Sequence, residues 1–328
     1  MKHKILILFL LILIAIFSFL GFRSTGSVVE YLPPSEQGSI DVYFCPRDDC
    51  EGVYTNLIKN SNNINCAIYD MDSIVEEFKQ RNKDIDVKIV ADNSNKLAIK
   101  DSDFIKFDNN NQLMHNKFCV FNQNDKNIIL TGSLNPTDNG FNKNDNNLVV
   151  ISSNYLSENY NQEFNELWNG IYGKGERVKY PKLKFNNFLI ENYFCPEDNC
   201  EQKVFNLIKN AKSRIYFMTF SFTSNPLGDL IIERSKEDIE IKGLFDKFQN
   251  RKYSQYDKMK NNNVNVKLYG GELLHHKVFI VDNKVVFGSY NPTKSGNERN
   301  DENILIIHNS EITNKFIEEF NLLSKNGK

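Results

Sequence analysis

The stretch HHKVFIVDNKVVFGSYN, from His275 to Asn291, has the pattern of a β-hairpin. Its two apolar runs are each the length of a buried strand, and Asn283 lies between them in what reads as a tight turn. Polar residues are concentrated where the first strand begins and where the second ends. The stretch therefore predicts two neighbouring strands of a sheet with a polar cluster at one end.

This polar cluster is a candidate site. Residues two apart in a strand point to the same face, so His275 and Lys277 project together while His276 points to the opposite face. The Gly-Ser-x-Asn segment that closes the second strand can place Ser289 and Asn291 beside that pair. Imidazole, ammonium, hydroxyl and amide groups together suit an oxyanion such as phosphate. Histidine can act there as a nucleophile or as a general acid.

The same polar set occurs earlier in the chain. The first copy consists of His115, Lys117, Ser133 and Asn135. A further polar residue follows the last asparagine of each copy by eleven positions, Asn146 in the first copy and Glu302 in the second. The chain has only five histidines, and two of them fall at equivalent places. A shared function is therefore favoured over two unrelated structural histidines.

The whole chain is an internal repeat. YFCPRDDCEGVYTNLIKN at 43–60 returns as YFCPEDNCEQKVFNLIKN at 193–210. Two copies of one domain are the simplest interpretation, at 40–170 and 188–328, with a linker at 171–187. Strand and helix patterns alternate within each copy, which predicts an α/β architecture with helices covering a central sheet.

The N-terminus has a different character from the rest of the chain. Eighteen apolar or small residues, Ile5 to Phe22, follow the basic residues Lys2 and Lys4. This length and charge bias predict a signal anchor at 1–25, with the remaining chain outside the cytoplasm. A cleaved signal peptide, and hence a secreted protein, is the alternative.

The six cysteines suit an oxidising compartment. Two matched Cys-x4-Cys pairs, Cys45 with Cys50 and Cys195 with Cys200, favour two local disulfides over metal ligation, because neither pair has further Cys or His nearby. The remaining two, Cys66 and Cys119, lie in strand-like runs and are either buried thiols or a third disulfide.

His-x-Lys-x4-Asp followed by Gly-Ser-x-Asn resembles the signature of the phospholipase D superfamily. The resemblance covers both copies. It implies two tandem α/β/α domains related by a pseudo-twofold axis, with mixed central sheets side by side and one active site at their junction. It also implies a phosphodiesterase that needs no metal or other cofactor. One histidine attacks phosphorus to give a phosphohistidine, and the other protonates the leaving oxygen and then activates water.

Carried onto this sequence, the resemblance implies a role for each residue. His115 would be the nucleophile and His275 the general acid. In similar two-copy proteins a later acidic residue of one half orients the histidine of the other, so Glu302 would hold His115 and Asn146 would hold His275. The lysines Lys117 and Lys277 complete the catalytic set, and the phosphate-binding residues would be Ser133, Asn135, Ser289 and Asn291.

Two positions depart from the family pattern. Asn122 stands where the motif has Asp, whereas the second copy keeps Asp282. Asn146 stands in place of an acidic orienting residue, and an amide stabilises an imidazolium less than a carboxylate does. This asymmetry agrees with His115 as nucleophile, while a degenerate, weakly active first copy is the alternative.

Three functions are compatible with these residues. Compact repeats resemble the small nuclease branch of the superfamily, which slightly favours a nuclease, and the aromatic and basic segment 246–260 would then line a nucleic-acid groove. The net charge of −2 gives no support for a nucleic-acid grip, and a membrane tether favours a phospholipase D or phosphatidyltransferase. A non-catalytic phosphate-binding scaffold is the third. With both half-sites in one chain, catalysis requires no oligomer.

Overall fold

Each copy folds around a mixed sheet whose central strands carry the motif residues. The computed structural model describes residues 32–96, 102–124, 126–249 and 252–327. The predicted signal anchor at 1–25 lies outside these residues. Within them, no helix is long and apolar enough to cross a membrane.

The first copy alternates strands and helices in the order that the sequence predicts. Its strands, after the short β1 (Ser35–Glu36), are β2 (Ile40–Cys45), β3 (Asn63–Ile68), β4 (Asp86–Ala91), β5 (Ile105–Phe107), β6 (Lys117–Gln123), β7 (Lys126–Gly132) and β8 (Asn144–Ser152). Its helices are α1 (Cys50–Asn60), α2 (Val75–Arg81), α3 (Asp138–Asn142) and α4 (Asn154–Trp168), with a 3₁₀ turn at Asn93–Asn95.

The second copy repeats this order. Its strands are β9 (Lys182–Phe185), β10 (Phe188–Cys195), β11 (Arg214–Thr219), β12 (Glu240–Phe245), β13 (Asn265–Leu268), β14 (Leu273–Leu274), β15 (Lys277–Val281), β16 (Lys284–Gly288) and β17 (Glu302–His308). Its helices are α5 (Cys200–Lys209), α6 (Asn225–Arg234), α7 (Gln255–Asn261), α8 (Lys294–Glu298) and α9 (Ser310–Ser324).

Among the described residues, the strands form two sheets of equivalent topology. The first has the order β14-β8-β7-β6-β3-β4-β5, with β2 also paired to β8. The second has the order β1-β9-β10-β17-β16-β15-β11-β12-β13. In both, the motif hairpin (β6–β7 or β15–β16) is antiparallel and central, while the neighbouring β3–β4 and β11–β12 pairs are parallel. The α/β class and the mixed sheets predicted from the sequence are confirmed.

Strand alternation explains how helices cover both faces of the first sheet. Phe118 and Val120 of β6 pack into the core shared with α4 and the second copy. Cys119 and Phe121, on the opposite face, pack against α1 and α2. The closing helices contact both copies: Tyr160 of α4 packs on Phe194 of β10, and Phe316 of α9 on Phe44 of β2.

Two short strand pairings join the copies beyond what the repeat pattern predicts. The segment before the first copy contributes β1, which pairs with β9 of the second sheet. β14, just before the second motif, pairs with β8 of the first sheet. β9 itself lies inside the predicted linker 171–187, where buried Leu183 and Phe185 alternate with exposed Lys182 and Lys184. This alternation is typical of a strand, so part of the predicted linker is a strand that lies next to the edge strand β1.

Candidate active site

The backbone just before each motif histidine is fixed by the other copy. His115 N donates to Asp301 O at 3.0 Å, and His275 N donates to Asp145 O at 2.9 Å. Met114 and β14 make the corresponding bridges to the opposite copy. The backbone of each motif histidine is therefore hydrogen-bonded to the opposite copy, immediately before the strand that follows the histidine.

The histidine rings are also held by the opposite copy. His115 Nδ1 lies 2.8 Å from Glu302 Oε2, and His275 Nδ1 lies 2.8 Å from Asn146 Oδ1. Glu302 opens β17 and Asn146 lies at the equivalent place near the start of β8. The structure thus makes the two cross-copy pairs that the family resemblance implies, and both leave Nε2 of the ring as the nitrogen available for chemistry.

The amide of Asn146 fixes the tautomer of neutral His275. Asn146 Nδ2 donates to the carbonyl oxygens of Gly140 and Asn144, each at 3.2 Å, so its Oδ1 must face the imidazole. Ser133 Oγ donates to the same Oδ1 at 3.0 Å. Because Oδ1 can only accept, His275 donates through Nδ1–H, and its Nε2 then carries the lone pair in the neutral form.

Each motif lysine lies directly beside its histidine. Lys117 Nζ and Lys277 Nζ donate to the carbonyl oxygen of the histidine two residues earlier, at 2.8 and 2.7 Å. Each ammonium also lies over an aromatic ring, 4.8 Å from Tyr69 and 5.0 Å from Phe220. These rings pack against His115 and His275 respectively. Sequence reasoning did not single them out, although they occupy equivalent places just after β3 and β11.

The motif serines lie beneath the site rather than in it. Ser133 is wholly buried, and its Oγ accepts from Asn147 N at 3.0 Å. Gly132 precedes it at φ +147°, and a Cβ there would lie 2.3 Å from Asn147 O, so only glycine permits this approach. The second copy repeats the arrangement with Ser289, Asn303 and Gly288. The serines therefore position the strand that carries the orienting residue.

The motif asparagines, in contrast, face the substrate space. Asn135 and Asn291 are half-buried and line one cavity of ≈ 490 Å³ together with His115 and His275. Among the described residues, neither asparagine Oδ1 has a hydrogen-bond partner. Residues of both copies line this cavity, so the two half-sites open into a single space.

Burial and mutual repulsion lower the pKa values of the basic groups in and beside this cavity. The pKa of His115 and that of His275 both lie well below the usual histidine value, because both rings are buried near Lys117 and Lys277. Burial lowers the pKa of Lys117 to about 7 and lowers that of Lys277 strongly. A phosphodiester carries the negative charge that reverses these shifts.

The pKa of Glu302 is shifted in the opposite direction, upwards. Burial raises its pKa to about 8, while Lys117 and Lys277 act to lower it. Added positive charge on the histidine or the lysines favours its ionised form. The Glu302–His115 pair is therefore poised to share a proton near neutral pH, which an amide such as Asn146 cannot do.

Two buried aspartates that sequence reasoning missed support the histidine segments. Asp92 accepts from Met114 N at 3.0 Å, and Asp246 accepts from Leu274 N at 2.9 Å. They follow β4 and β12 at equivalent places in the repeat. Their signal in the sequence was an acidic residue recurring directly after an apolar strand.

Asn122 and Asp282, the position where the motif differs between copies, lie away from the cavity. Asp282 accepts from the backbone N–H groups of Lys212, Ser213 and Arg214. Asn122 Nδ2 donates to Asn127 Oδ1 at 2.9 Å instead. The replacement of Asp by Asn in the first copy therefore leaves the catalytic groups untouched.

The two predicted local disulfides are present, Cys45–Cys50 and Cys195–Cys200, together with a third between Cys66 and Cys119. Cys45 pairs with Asn146 across β2 and β8, and Cys195 pairs with Glu302 across β10 and β17. Each local disulfide thus fixes a strand end directly opposite an orienting residue.

His276 points away from the cavity and is wholly buried. Its Nδ1 lies 2.9 Å from Asn147 Nδ2, and its Nε2 lies 3.7 Å from Glu319 Oε1. It does not line the space that His275 enters, which follows from its opposite direction on the strand.

A family model described as cardiolipin synthase, PLD-like domain, matches residues 50–168 and again 204–323. The chain belongs to the phospholipase D superfamily. The protein is therefore an enzyme of phosphodiesterase type. A protein named phospholipase D from Rickettsia bellii is 25% identical over 151 residues, covering 43% of this chain and 74% of the relative.

Two solved structures are similar to this phospholipase D-like chain. The match to phosphatidylserine synthase from Haemophilus influenzae covers 88% of this chain and 87% of the synthase chain. Its TM-score of 0.64 at 14% identity shows a shared fold. Nuc, a phospholipase D family member from Salmonella typhimurium, is 26% identical and covers 42% of this chain and 95% of its own, with a TM-score of 0.41.

Proposed function

We propose that the protein hydrolyses phospholipid phosphodiester bonds through a phosphohistidine intermediate. The observation that carries the proposal is that His115 and His275, each held through Nδ1 by the opposite copy, line one cavity. Two imidazoles with available Nε2 atoms in one cavity can act on the same phosphorus atom. One can attack it, and the other can protonate the oxygen that leaves from the opposite side. A non-catalytic scaffold has no need of this arrangement.

In the first step, His115 Nε2 attacks phosphorus and forms the P–N bond. The P–O bond to the leaving alcohol breaks, and protonated His275 gives its Nε2 proton to that oxygen. Glu302 stabilises the positive charge that develops on His115. Lys117 and Lys277 neutralise the non-bridging phosphate oxygens, and Asn135 and Asn291 supply their amides.

In the second step, neutral His275 takes a proton from water as the water oxygen attacks phosphorus. The P–N bond breaks, His115 leaves as the neutral imidazole, and the phosphate monoester departs. His275 ends protonated and ready for another cycle. The lower proton affinity expected of an imidazole on an amide, compared with one on a carboxylate, suits this exchange of roles.

The cavity lining supports a phospholipid as substrate. Among the described residues that line it, none is Lys or Arg, and the two leucines Leu113 and Leu273 lie on opposite copies. Leu113 is 37% exposed, and Phe248, next to the lining residue Gln249, is 56% exposed. Asp70 is an acidic residue in this lining. An opening without lysine or arginine, with apolar residues at its edge, suits acyl chains better than a polyanion.

A nucleic-acid substrate, which the sequence slightly favours, remains the second candidate because of one segment. Lys247 Nζ lies 4.8 Å from the Phe248 ring and Lys252 Nζ lies 5.6 Å from the Tyr253 ring. Alternating cations and exposed rings are a platform for stacked bases.

The proposed location is the outer side of a membrane, with Ile5–Phe22 as anchor. The disulfides of the folded part support an oxidising compartment. A tether of this kind holds the active site close to lipid headgroups.

Purified full chain, assayed in EDTA, tests both the mechanism and the substrate. Phospholipid vesicles and single- and double-stranded DNA are offered to the wild type and to His115→Ala, His275→Ala and His276→Asn. The proposal expects headgroup release from vesicles, abolished in the first two variants and kept in the third, which matches Asn116 of the first copy. Cleavage of DNA alone would transfer the same mechanism to the second candidate. Full activity in either alanine variant would overturn the shared site.

A further inference from the structure

Two equivalent buried carboxylates, Glu319 and Glu163, have neighbours of different charge in the two copies. In one half, Glu319 of α9 is 3% exposed and has two basic partners. Arg47 Nη1 lies 2.8 Å from Glu319 Oε2, and His276 Nε2 lies 3.7 Å from Oε1. These partners lower the pKa of Glu319 despite its burial. Arg47 of the first copy and His276 of the second thus both favour the ionised form of this carboxylate.

In the other half, both basic partners are missing. Glu163 of α4 occupies the position of Glu319, as the repeated EFNEL and EFNLL segments show. Glu197 replaces the arginine, and Asn116 replaces the histidine. Burial and neighbouring carboxylates raise the pKa of Glu163 strongly and that of Glu197 to about 7. The place that a guanidinium fills in one half is therefore bordered by acids in the other.

The acidic side chains in this half converge. Carboxylate oxygens of Glu163, Glu166 and Glu197 lie within 4.8 Å of one another. Oxygens on opposite sides of a Ca²⁺ ion are about 5 Å apart, twice its usual bond length. The linker backbone also comes close, since a Cβ on Gly175 would lie 2.1 Å from Glu166 Oε2 and 3.2 Å from Glu197 Oε1.

Two buried oxygens beside these carboxylates have no donor. Asn116 is wholly buried; its Nδ2 donates to Glu163 Oε1 at 2.9 Å, and its Oδ1 has no hydrogen-bond partner among the described residues. Asp301, 3% exposed, accepts from Gly173 N with Oδ1, while its Oδ2 has no partner in the same part of the chain. Buried oxygen atoms are normally satisfied, so these point to an additional positive group.

We propose that Glu163, Glu166 and Glu197 bind a Ca²⁺ ion, with Asn116 Oδ1 as a further ligand. The ligand atoms are all oxygen, which selects a hard cation, and carboxylate oxygens up to 4.8 Å apart suit the longer bonds of Ca²⁺ better than those of Mg²⁺. The ion does in this half what Arg47 and His276 do in the other. It joins α4 of the first copy to the Cys195–Cys200 turn of the second.

An entry route adjoins the site. A solvent-open cavity of ≈ 520 Å³ is lined by Glu166, Gly175 and neighbouring residues of α4 and the linker. The role is structural, since the phosphodiesterase chemistry above uses none of these three glutamates. Asn116 is next to His115 in the chain, so bound Ca²⁺ would also steady the strand that carries this histidine.

Calcium binding to the full chain tests the proposal without reference to activity. The chain is stripped with EDTA, and thermal unfolding and titration calorimetry are recorded with CaCl2 and with MgCl2. We expect Ca²⁺ to raise the Tm of the wild type and of Glu158→Gln, an exposed control on the same helix. Glu166→Gln should bind Ca²⁺ at least about tenfold more weakly. Glu197→Arg, which copies Arg47, should lose the Ca²⁺ response and match or exceed the wild-type Tm in EDTA.

Three results would overturn it. The first is a wild-type Tm that does not respond to millimolar Ca²⁺. The second is a Ca²⁺ response of the same size in Glu166→Gln as in Glu158→Gln. The third is a Tm that changes with pH near neutrality but not with Ca²⁺, because the carboxyl groups would then be sharing protons instead of a metal ion.

Discussion

At the residue scale, the two motif histidines differ in the side chain that holds each ring. His115 rests on a carboxylate that can take or share a proton, and His275 rests on an amide that can only accept. In the proposed mechanism, this difference favours His115 as the histidine that carries the positive, phosphorylated intermediate. The local strand geometry that places His and Lys on one face was readable from sequence. The burial that lowers the histidine pKa values depends on both copies and was not.

The first prediction concerns Glu302. Glu302→Gln gives His115 the same kind of partner that His275 has, and removes the anion that stabilises the charged intermediate. We expect kcat to fall by about 10²-fold, with KM little changed. Steady-state kinetics on the active substrate measure this, and Glu298→Gln on α8 is the exposed control. A wild-type kcat in Glu302→Gln would show that the carboxylate has no role in the charged step.

The second prediction follows from the lowered pKa of Lys117. A phosphate-binding lysine must be protonated, and the Lys117 pKa of about 7 means that its charge is lost as the pH rises through neutrality. Inhibition by sulfate, whose own charge is constant in this range, should therefore weaken by about tenfold per pH unit above pH 7. Sulfate inhibition constants from pH 6 to pH 9 measure this. A constant inhibition over that range would contradict the assignment, and Lys117→Ala should show weak inhibition throughout.

At the scale of elements, strand pairing places the orienting residues. Asn146 and Glu302 lie opposite Cys45 and Cys195, where local disulfides fix the ends of β2 and β10. Repeat spacing predicted the elements and these two disulfides. It did not predict β1, β9 and β14, because such short strands form only where the edge of another element offers free hydrogen-bonding groups. The Cys66–Cys119 disulfide depended likewise on the pairing of β3 with β6, which sequence alone left open.

The third prediction compares these disulfides. Cys66 and Cys119 are 53 residues apart in sequence, whereas Cys45 and Cys50 are 5 apart. Loss of chain entropy in the unfolded state grows with loop length, so Cys66→Ala/Cys119→Ala should lower the free energy of unfolding by about 4 kcal/mol and Cys45→Ala/Cys50→Ala by about 2 kcal/mol. Urea unfolding of the two double variants measures the difference. An equal loss in both would mean that native packing, and not the length of the closed loop, sets their contribution.

At the scale of the whole molecule, neither copy contains a complete site. Each supplies a His-Lys pair and an orienting side chain for the histidine of the other. The backbone N–H groups of His115 and His275 are also hydrogen-bonded to the opposite copy. The doubled motif alone did not predict that each copy orients the histidine of the other; only the family resemblance implied it. The hydrogen bonds that make it a single site form only once the copies are packed together, and α4 and α9 contact both of them.

The most direct test of this account is the burst of product from bis(4-nitrophenyl) phosphate, whose leaving group needs no general acid. In His275→Ala, His115 should still attack phosphorus, but no base remains to activate water. We predict release of one nitrophenolate per chain, then a stall, with the phosphoryl group on His115 after rapid quenching and peptide mapping. We predict no burst in His115→Ala. Continued turnover at about half the wild-type rate in each single variant, as two independent sites of similar activity would give, or a phosphoryl group on His275 in His115→Ala, would contradict it.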